Sequence, residues 1–220
     1  MIDALVIGGG PAGLAAAEML HARGVNVTLV DQKPSLARKF TMAGKSGLNI
    51  TKDEDLPALQ AAIGCPRLDP ILAEFDARAV QDWARGLGQE IFTGSSGRVF
   101  PVAMKASPLL RAWLARLDGV TIKKNWRWEG FAGGAHRFLT PDGPCDVSAR
   151  VTVFAFGGAS WARLGSDGSW ADAFRADGLP VADFQPANMG LKVGWSAHMA
   201  PAFGLPVKNV ALTCAGRRVT

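Results

Sequence analysis

An α/β fold built around a parallel sheet is the class that this chain predicts, on three observations near its start. A short apolar run, Ala4, Leu5, Val6 and Ile7, has the character of a strand buried on both faces and ends directly in Gly8, Gly9, Gly10, Pro11, Ala12, Gly13. A helical stretch follows and stops at Gly24. A second apolar run, Val25 to Val30, then closes on Asp31. Strand, glycine turn, helix, strand and acid in this order form a backbone cradle for a dinucleotide pyrophosphate.

Each part of the cradle has a physical task. Gly8 permits the tight turn, Gly10 lets backbone N–H groups approach the pyrophosphate with no side chain between, and Gly13 lets the helix pack closely on the strand. Pro11 suits the first helical turn, where its missing donor costs little. Ala12 carries the helix on towards Arg23, so the positive end of its dipole faces the phosphates. Asp31, about 20 residues beyond the glycines, is placed to accept hydrogen bonds from ribose hydroxyls and to repel a 2′-phosphate, with Gln32 beside it. This preference selects FAD or NAD over NADP. The architecture expected is a Rossmann-like parallel sheet.

Lys33 to Thr51 holds a second loop of small and basic residues. Its Gly44, Lys45, Ser46 tripeptide imitates a P-loop, but Lys39 stands where the first glycine of that motif belongs, and no strand leads in. A cofactor-contacting loop is the better reading, with Arg38 and Lys39 available to phosphate and Gly44 and Gly47 allowing close backbone approach. Residues 53–88 predict helices broken by Pro57, Pro66 and Pro70, the last capped by Asp76 and carrying Val80, Trp83 and Leu87 on one face. Glu90 to Phe92 and Arg98 to Phe100 flank a glycine-serine turn as a hairpin. Ser107 is expected to cap a further helix, with Pro108 at its first position and Leu109, Leu110, Trp113, Leu114 and Leu117 at core spacing.

From Val120 to Ala155, turn signals at Gly133, Gly134, Pro141, Asp142 and Gly143 predict a small antiparallel β-meander inserted into the parallel sheet. Val151 to Ala155 reads as one more buried strand, and it runs into Gly157 and Gly158, where ligands dock in a doubly wound sheet. A helix from Ser169 to Ala176 ends at Gly178, and strands resume at Leu191 to Val193 and Val207 to Leu212. The division expected is a cofactor domain over 1–189, with inserted helices over 53–117 and the meander over 120–150, followed by the beginning of a second, β-rich domain over 190–220.

With three glycine-rich loops in place, the chain resembles the BaiN-like NAD(P)/FAD-dependent oxidoreductases, flavoproteins with two dinucleotide-binding folds. The resemblance spans essentially all 220 residues. It is carried by the fingerprint from Val6 to Gly13, by Asp31, and by Arg38 and Lys39 ahead of a small-residue loop that ends in Asn49 and Thr51. A GRVFP element at Gly97 to Pro101 and a strand-ending Ala155, Phe156, Gly157, Gly158, Ala159, Ser160 complete it. The arginine and cysteine that the family's commoner loop carries are missing between Ala43 and Asn49, and Phe156 replaces the usual threonine, which marks a distinct subgroup.

The resemblance implies FAD as cofactor, held by the glycine loops, Asp31, Gln32, Arg38, Lys39 and Asn49. It further implies NADH or NADPH as reductant, and hydride transfer to an organic acceptor such as an unsaturated carbonyl compound. The alternative is an FAD- or nucleotide-binding protein without turnover. Lys105 and Arg98 are the candidate cations for negative charge on reduced flavin, and His198 is the candidate proton donor, each with a structural role as the competing reading. Relatives run to nearly twice this length, so a truncated chain is expected, with the strand from Val207 to Leu212 leaving an exposed apolar edge.

Bulk composition narrows the classes further. Hydrophobic residues at 48% and charged residues at 20% are those of a soluble globular protein. No apolar run is long enough to span a bilayer and no signal peptide opens the chain, which predicts a cytoplasmic protein without membrane partners. Cys65, Cys145 and Cys214 form no CxxC pair, and His21, His136 and His198 lack metal-ligand spacing, so neither redox thiols nor a metal are expected. The net charge of +5 and the stretch Lys123, Lys124, Trp126, Arg127, Trp128 invite a nucleic-acid reading. A two-faced strand explains that stretch better, and no recognised module supports the alternative. The absence of tyrosine excludes short-chain dehydrogenases, whose general acid it is. The partner expected is a small-molecule substrate; the oligomeric state is left open.

Overall fold

The computed structural model describes residues 2–44, 47–186, 192–205 and 211–219. They fall into two compact units, Met1–Phe184 and Gln185–Thr220. In the first, β1 (Ile2–Ile7) leads through the glycine turn into α1 (Pro11–Ala22) and then β2 (Val27–Asp31). Next come α2 (Arg38–Ala43), β3 (Thr51–Lys52), α3 (Leu56–Ile63), α4 (Asp69–Glu74), α5 (Ala77–Gly86), β4 (Ile91–Thr93), β5 (Arg98–Pro101) and α6 (Ala106–Ala115). The unit continues with β6 (Thr121–Lys124), β7 (Arg127–Ala132), β8 (Ala135–Thr140), β9 (Gly143–Val147), β10 (Ala149–Phe154) and α7 (Trp170–Ala176).

Four strands, in the order β10-β1-β2-β6, form the parallel sheet. The neighbours of β1 lie on opposite sides of it, so its carboxyl end is a topological switch point, where open α/β sheets form their ligand crevice. Ala4, Val6, Val27 and Leu29 pack towards Leu14, Ala17, Leu109 and Trp113 on the helical face. Leu5, Ile7 and Val30 pack on the other face with Phe138 of the meander, flanked by Trp126 and Trp128. Cover on both faces explains why β1 is apolar without alternation. The meander is β7-β8-β9, and a small antiparallel sheet, β3-β5-β4, lies apart from it in sequence.

Local backbone chemistry moves some boundaries from those the sequence predicts. β2 begins at Val27 and not Val25, because the Val25 N–H bonds to the carbonyl of Leu20 and closes the end of α1. Part of the second loop is helical: α2 starts at Arg38, entered through Ala37 in the left-handed region at φ 52°. α6 starts at Ala106 after Lys105, so Ser107 lies inside the helix and is not its cap. Lys123 and Lys124 belong to the parallel sheet, while Arg127 and Trp128 open the meander. Asn125, at φ 59°, turns the chain between them, and one continuous alternating strand does not form.

β10 pairs on one side only among the described residues, and Val151 is 56% exposed, so this strand is an edge and not the buried strand that its composition suggests. In the second unit Lys192 and Val193 are not in a strand, and Leu191 and residues 207–210 lie outside the described residues. The unit contains a 3₁₀ segment, Ala197–Ala202, and a hairpin of β11 (Leu212–Cys214) with β12 (Arg217–Val219). No helix among the described residues is long and apolar enough to cross a membrane, and no group of three potential metal ligands occurs among them.

Candidate functional site

The glycine turn is held by backbone contacts before any ligand is considered. Gly8 has φ +111°, and a Cβ there would overlap the carbonyl oxygen of Ala155 at the end of β10. A Cβ on Gly13 would overlap the carbonyl of Gly8, so the third glycine sets how closely α1 approaches β1. Gly9 is tethered at both ends. Its N–H donates to Oδ2 of Asp31 at 2.7 Å, and its carbonyl accepts from the N–H of Ala37 at 2.8 Å.

Gly10 differs from its neighbours. Its backbone, at φ −81° and ψ −178°, is open to any residue, and a Cβ there would meet no atom within 4 Å. The space in front of Gly10 is therefore free, and no side chain caps the N-terminus of α1 behind it. The first N–H groups of that helix have no acceptor within the helix, which makes them donors for an anion.

Asp31 ends β2 beside this turn. Its Oδ1 accepts from the N–H of Lys33 at 2.7 Å, so each carboxylate oxygen already holds a backbone donor. Burial pushes its carboxyl above the ordinary aspartate range, while the N–H groups of Lys33 and Gly9 act in the opposite direction. Besides the ribose role that its position predicts, Asp31 fastens the glycine turn. Its bond to Gly9 spans 22 residues and has no local signature.

The glycine loop at Gly157 and Gly158 leaves β10 beside the first. The Ala155 N–H donates to the carbonyl of Ile7 at 2.8 Å, which aligns the two turns, and Gly157 sits at φ +75°. Ser166 is buried, with its hydroxyl against the carbonyls of Phe156 and Gly158, and Trp170 Nε1 donates to the Gly157 carbonyl at 3.0 Å. Gln32 Nε2 reaches the carbonyl of Gly165 at 2.8 Å, tying this segment back to the end of β2. Neither Ser166 nor Trp170 stands out in the sequence.

These pieces enclose one cavity of about 970 Å³. Gly8, Gly10, Pro11 and Ala12 line it from the turn, Asp31, Gln32 and Lys33 from β2, and Arg38 and Lys39 from α2. Gly157 and Asp167 line it from the loop after β10, and Trp126, Trp128, Phe154, Phe156 and Trp170 supply an aromatic wall. Phe156 stacks on Trp170 with 5.7 Å between ring centres, and Trp128 lies 4.9 Å from Phe156. The size stands at the top of the range for small-molecule sites, roughly 300–1,000 Å³. Arg38 donates from Nη1 to Ser35 Oγ at 3.1 Å, but its Nε is buried with no partner among the described residues. An anion in the cavity would satisfy it.

The other candidate positions lie elsewhere. Gly13, Gly44, Gly47, Asn49 and Gly158 do not line the cavity; Gly44 packs against Ala106 at the start of α6, and Asn49 is exposed. Arg98 is exposed on β5 and Lys105 precedes α6, and neither lines the cavity; His198 is exposed within the second unit. Such long-range placement is invisible to residue type.

The fold is shared with solved structures. One is an open conformation of a flavocytochrome c3 fumarate reductase, 22% identical, with 71% of this chain and 34% of that chain covered and a TM-score of 0.53. Another is 3-ketosteroid-delta4-(5alpha)-dehydrogenase from Rhodococcus jostii RHA1, solved in complex with 4-androstene-3,17-dione. It is 16% identical, with 71% of this chain and 46% of that chain covered and a TM-score of 0.53. The chain thus spans less than half the length of either protein. Residues 2–217 match the family model of the HI0933-like protein Rossmann domain, and the chain belongs to that family, the BaiN-like group that its glycine loops and GRVFP element resemble.

Proposed function

We propose that this chain is the FAD-binding portion of a flavin-dependent oxidoreductase. The observation that carries the reading is Gly10, whose Cα faces free space in a cavity that also receives Asp31, Arg38 and the glycine loop after β10. Membership of the family favours FAD over NAD as the occupant. The N–H groups at the start of α1 would bind the pyrophosphate, with Arg38 and Lys39 as supporting cations, and Asp31 would hold the adenosine ribose. Gln32, Gly157 and the loop that Ser166 clamps would border the same cofactor. When bound, FAD supplies the hydride chemistry, and the protein contributes binding, orientation and exclusion of water.

Within that reading the cofactor domain covers 1–189, a reduced nicotinamide nucleotide is the reductant, and the acceptor is an organic molecule, for example an unsaturated carbonyl compound. Purified protein tests it directly. A yellow preparation with flavin absorption that bleaches anaerobically with NADH or NADPH supports the proposal; protein that takes up no FAD on reconstitution overturns it.

A second reading, an FAD- or nucleotide-binding chain without turnover, is favoured by one observation: Arg98 and Lys105 lie outside the cavity lining. Stable flavin binding without bleaching would select it.

A further inference from the structure

We infer that Trp126 is the stacking surface for the base of the nucleotide whose ribose Asp31 holds, an inference that rests on the dinucleotide reading of the cavity. The backbone brings the two residues together. The Trp126 N–H donates to the Asp31 carbonyl at 3.0 Å, and the Asn125 N–H reaches the carbonyl of Lys33 at 3.4 Å, so the turn after β6 is docked on the end of β2. Both residues line the same cavity, so a base attached to a ribose at Asp31 would share that cavity with the indole.

The ring has the surroundings of a platform. It packs beside the core formed by Leu5, Ile7, Val30 and Phe138, with the Phe138 ring centre at 5.7 Å, yet it remains partly exposed. That leaves a supported aromatic surface at the cavity wall, the arrangement on which bases stack irrespective of sequence. Lys123 Nζ lies 5.9 Å from the ring centre, close to the outer limit of a cation–π contact. Being exposed, that contact is the weaker of the two competitors for the ring, and a base displaces it. Trp128, the other tryptophan of this segment, also lines the cavity, but its ring already lies against those of Phe131, Phe154, Phe156 and Phe174.

Titration of the 220-residue chain with ADP and with FAD, followed by calorimetry and tryptophan fluorescence, tests the inference. Trp126→Ala should weaken ADP binding about tenfold, within the range of a lost base-stacking contact, while leaving the thermal midpoint within a few degrees. Trp126→Phe should keep ADP affinity within about twofold but remove much of the ADP-induced quenching, because the stacked indole is gone while an aromatic surface remains. Wild-type protein that binds ADP and FAD, together with a Trp126→Ala variant of unchanged affinity, overturns the stacking role and leaves the flavin reading intact. Wild-type protein that binds neither nucleotide overturns both.

Discussion

At the residue scale, the two glycines at the heart of the turn are protected for different reasons, and substitution separates them. Gly10→Val should fold, since its backbone is ordinary and its Cβ meets nothing, but it should retain no FAD. Gly8→Ala should damage the fold itself, because φ +111° and the Ala155 carbonyl both reject a side chain. Circular dichroism melts and flavin absorbance after reconstitution check both; FAD bound stoichiometrically by Gly10→Val would exclude the proposed cradle. Asp31 gives a pH dependence. Its raised pKa means that the folded chain binds this proton more tightly than the unfolded chain. Ionised Asp31 therefore costs stability above that pKa, and the cost disappears as pH falls through it. Ribose binding has the opposite need, since its hydroxyls donate best to the ionised group. FAD retention should accordingly fall on acidification at a pH above the ordinary aspartate range, and Asp31→Asn should flatten that profile while lowering affinity by about 1–3 kcal/mol. An unchanged profile in the variant would remove Asp31 from the site.

At the scale of elements, the helical layer is joined by a carboxylate that the apolar spacing of α1 does not reveal. Glu18 on α1 accepts from Trp113 Nε1 at 2.7 Å and Trp83 Nε1 at 3.4 Å, and pairs with Arg116 at 2.9 Å. α1 is thereby tied to α5 and to α6 with the turn that follows it. Trp113 is only 4% exposed, so losing its acceptor strands a buried donor. Glu18→Ala should therefore destabilise the protein by about 1–3 kcal/mol. Denaturant melts check this, and a loss below about 0.5 kcal/mol would show that water replaces the carboxylate. On the opposite face, His136 Nε2 lies 2.8 Å from Thr152 Oγ1 and ties the meander to β10. Phe138 in the core, with Trp128 and Phe131 against Phe154, joins that contact in seating the meander on the sheet.

At the scale of the whole molecule, binding and stability are linked. A ligand that binds only the folded chain adds about 2.7 kcal/mol at a hundredfold excess over its Kd. For a chain of this size that corresponds to roughly 5–10 °C in Tm. FAD should raise the wild-type Tm by this order and leave the Tm of Gly10→Val unmoved; equal shifts in both would point to a different binding site.

How much of this was legible in the sequence depends on how far apart the interacting residues lie. β1, the glycine turn, α1 and Asp31 could be read directly, because each rests on local rules: apolar runs make strands, glycine alone accepts φ +111°, and the acid follows at a set offset. The meander and Gly157 were legible for the same reason. Ser166, Trp170 and the Gly9 bond of Asp31 were not, since the serine, the tryptophan and the aspartate take these roles from partners 8, 13 and 22 residues away. Residue type named Arg98 and Lys105 as candidate cations, but chain path alone determined that they do not line the cavity. The chain by itself determined the dinucleotide turn and the class of fold. Only the tertiary structure decided which side chains surround the free space at Gly10, because that depends on strand order and on the meander closing over the second face of β1.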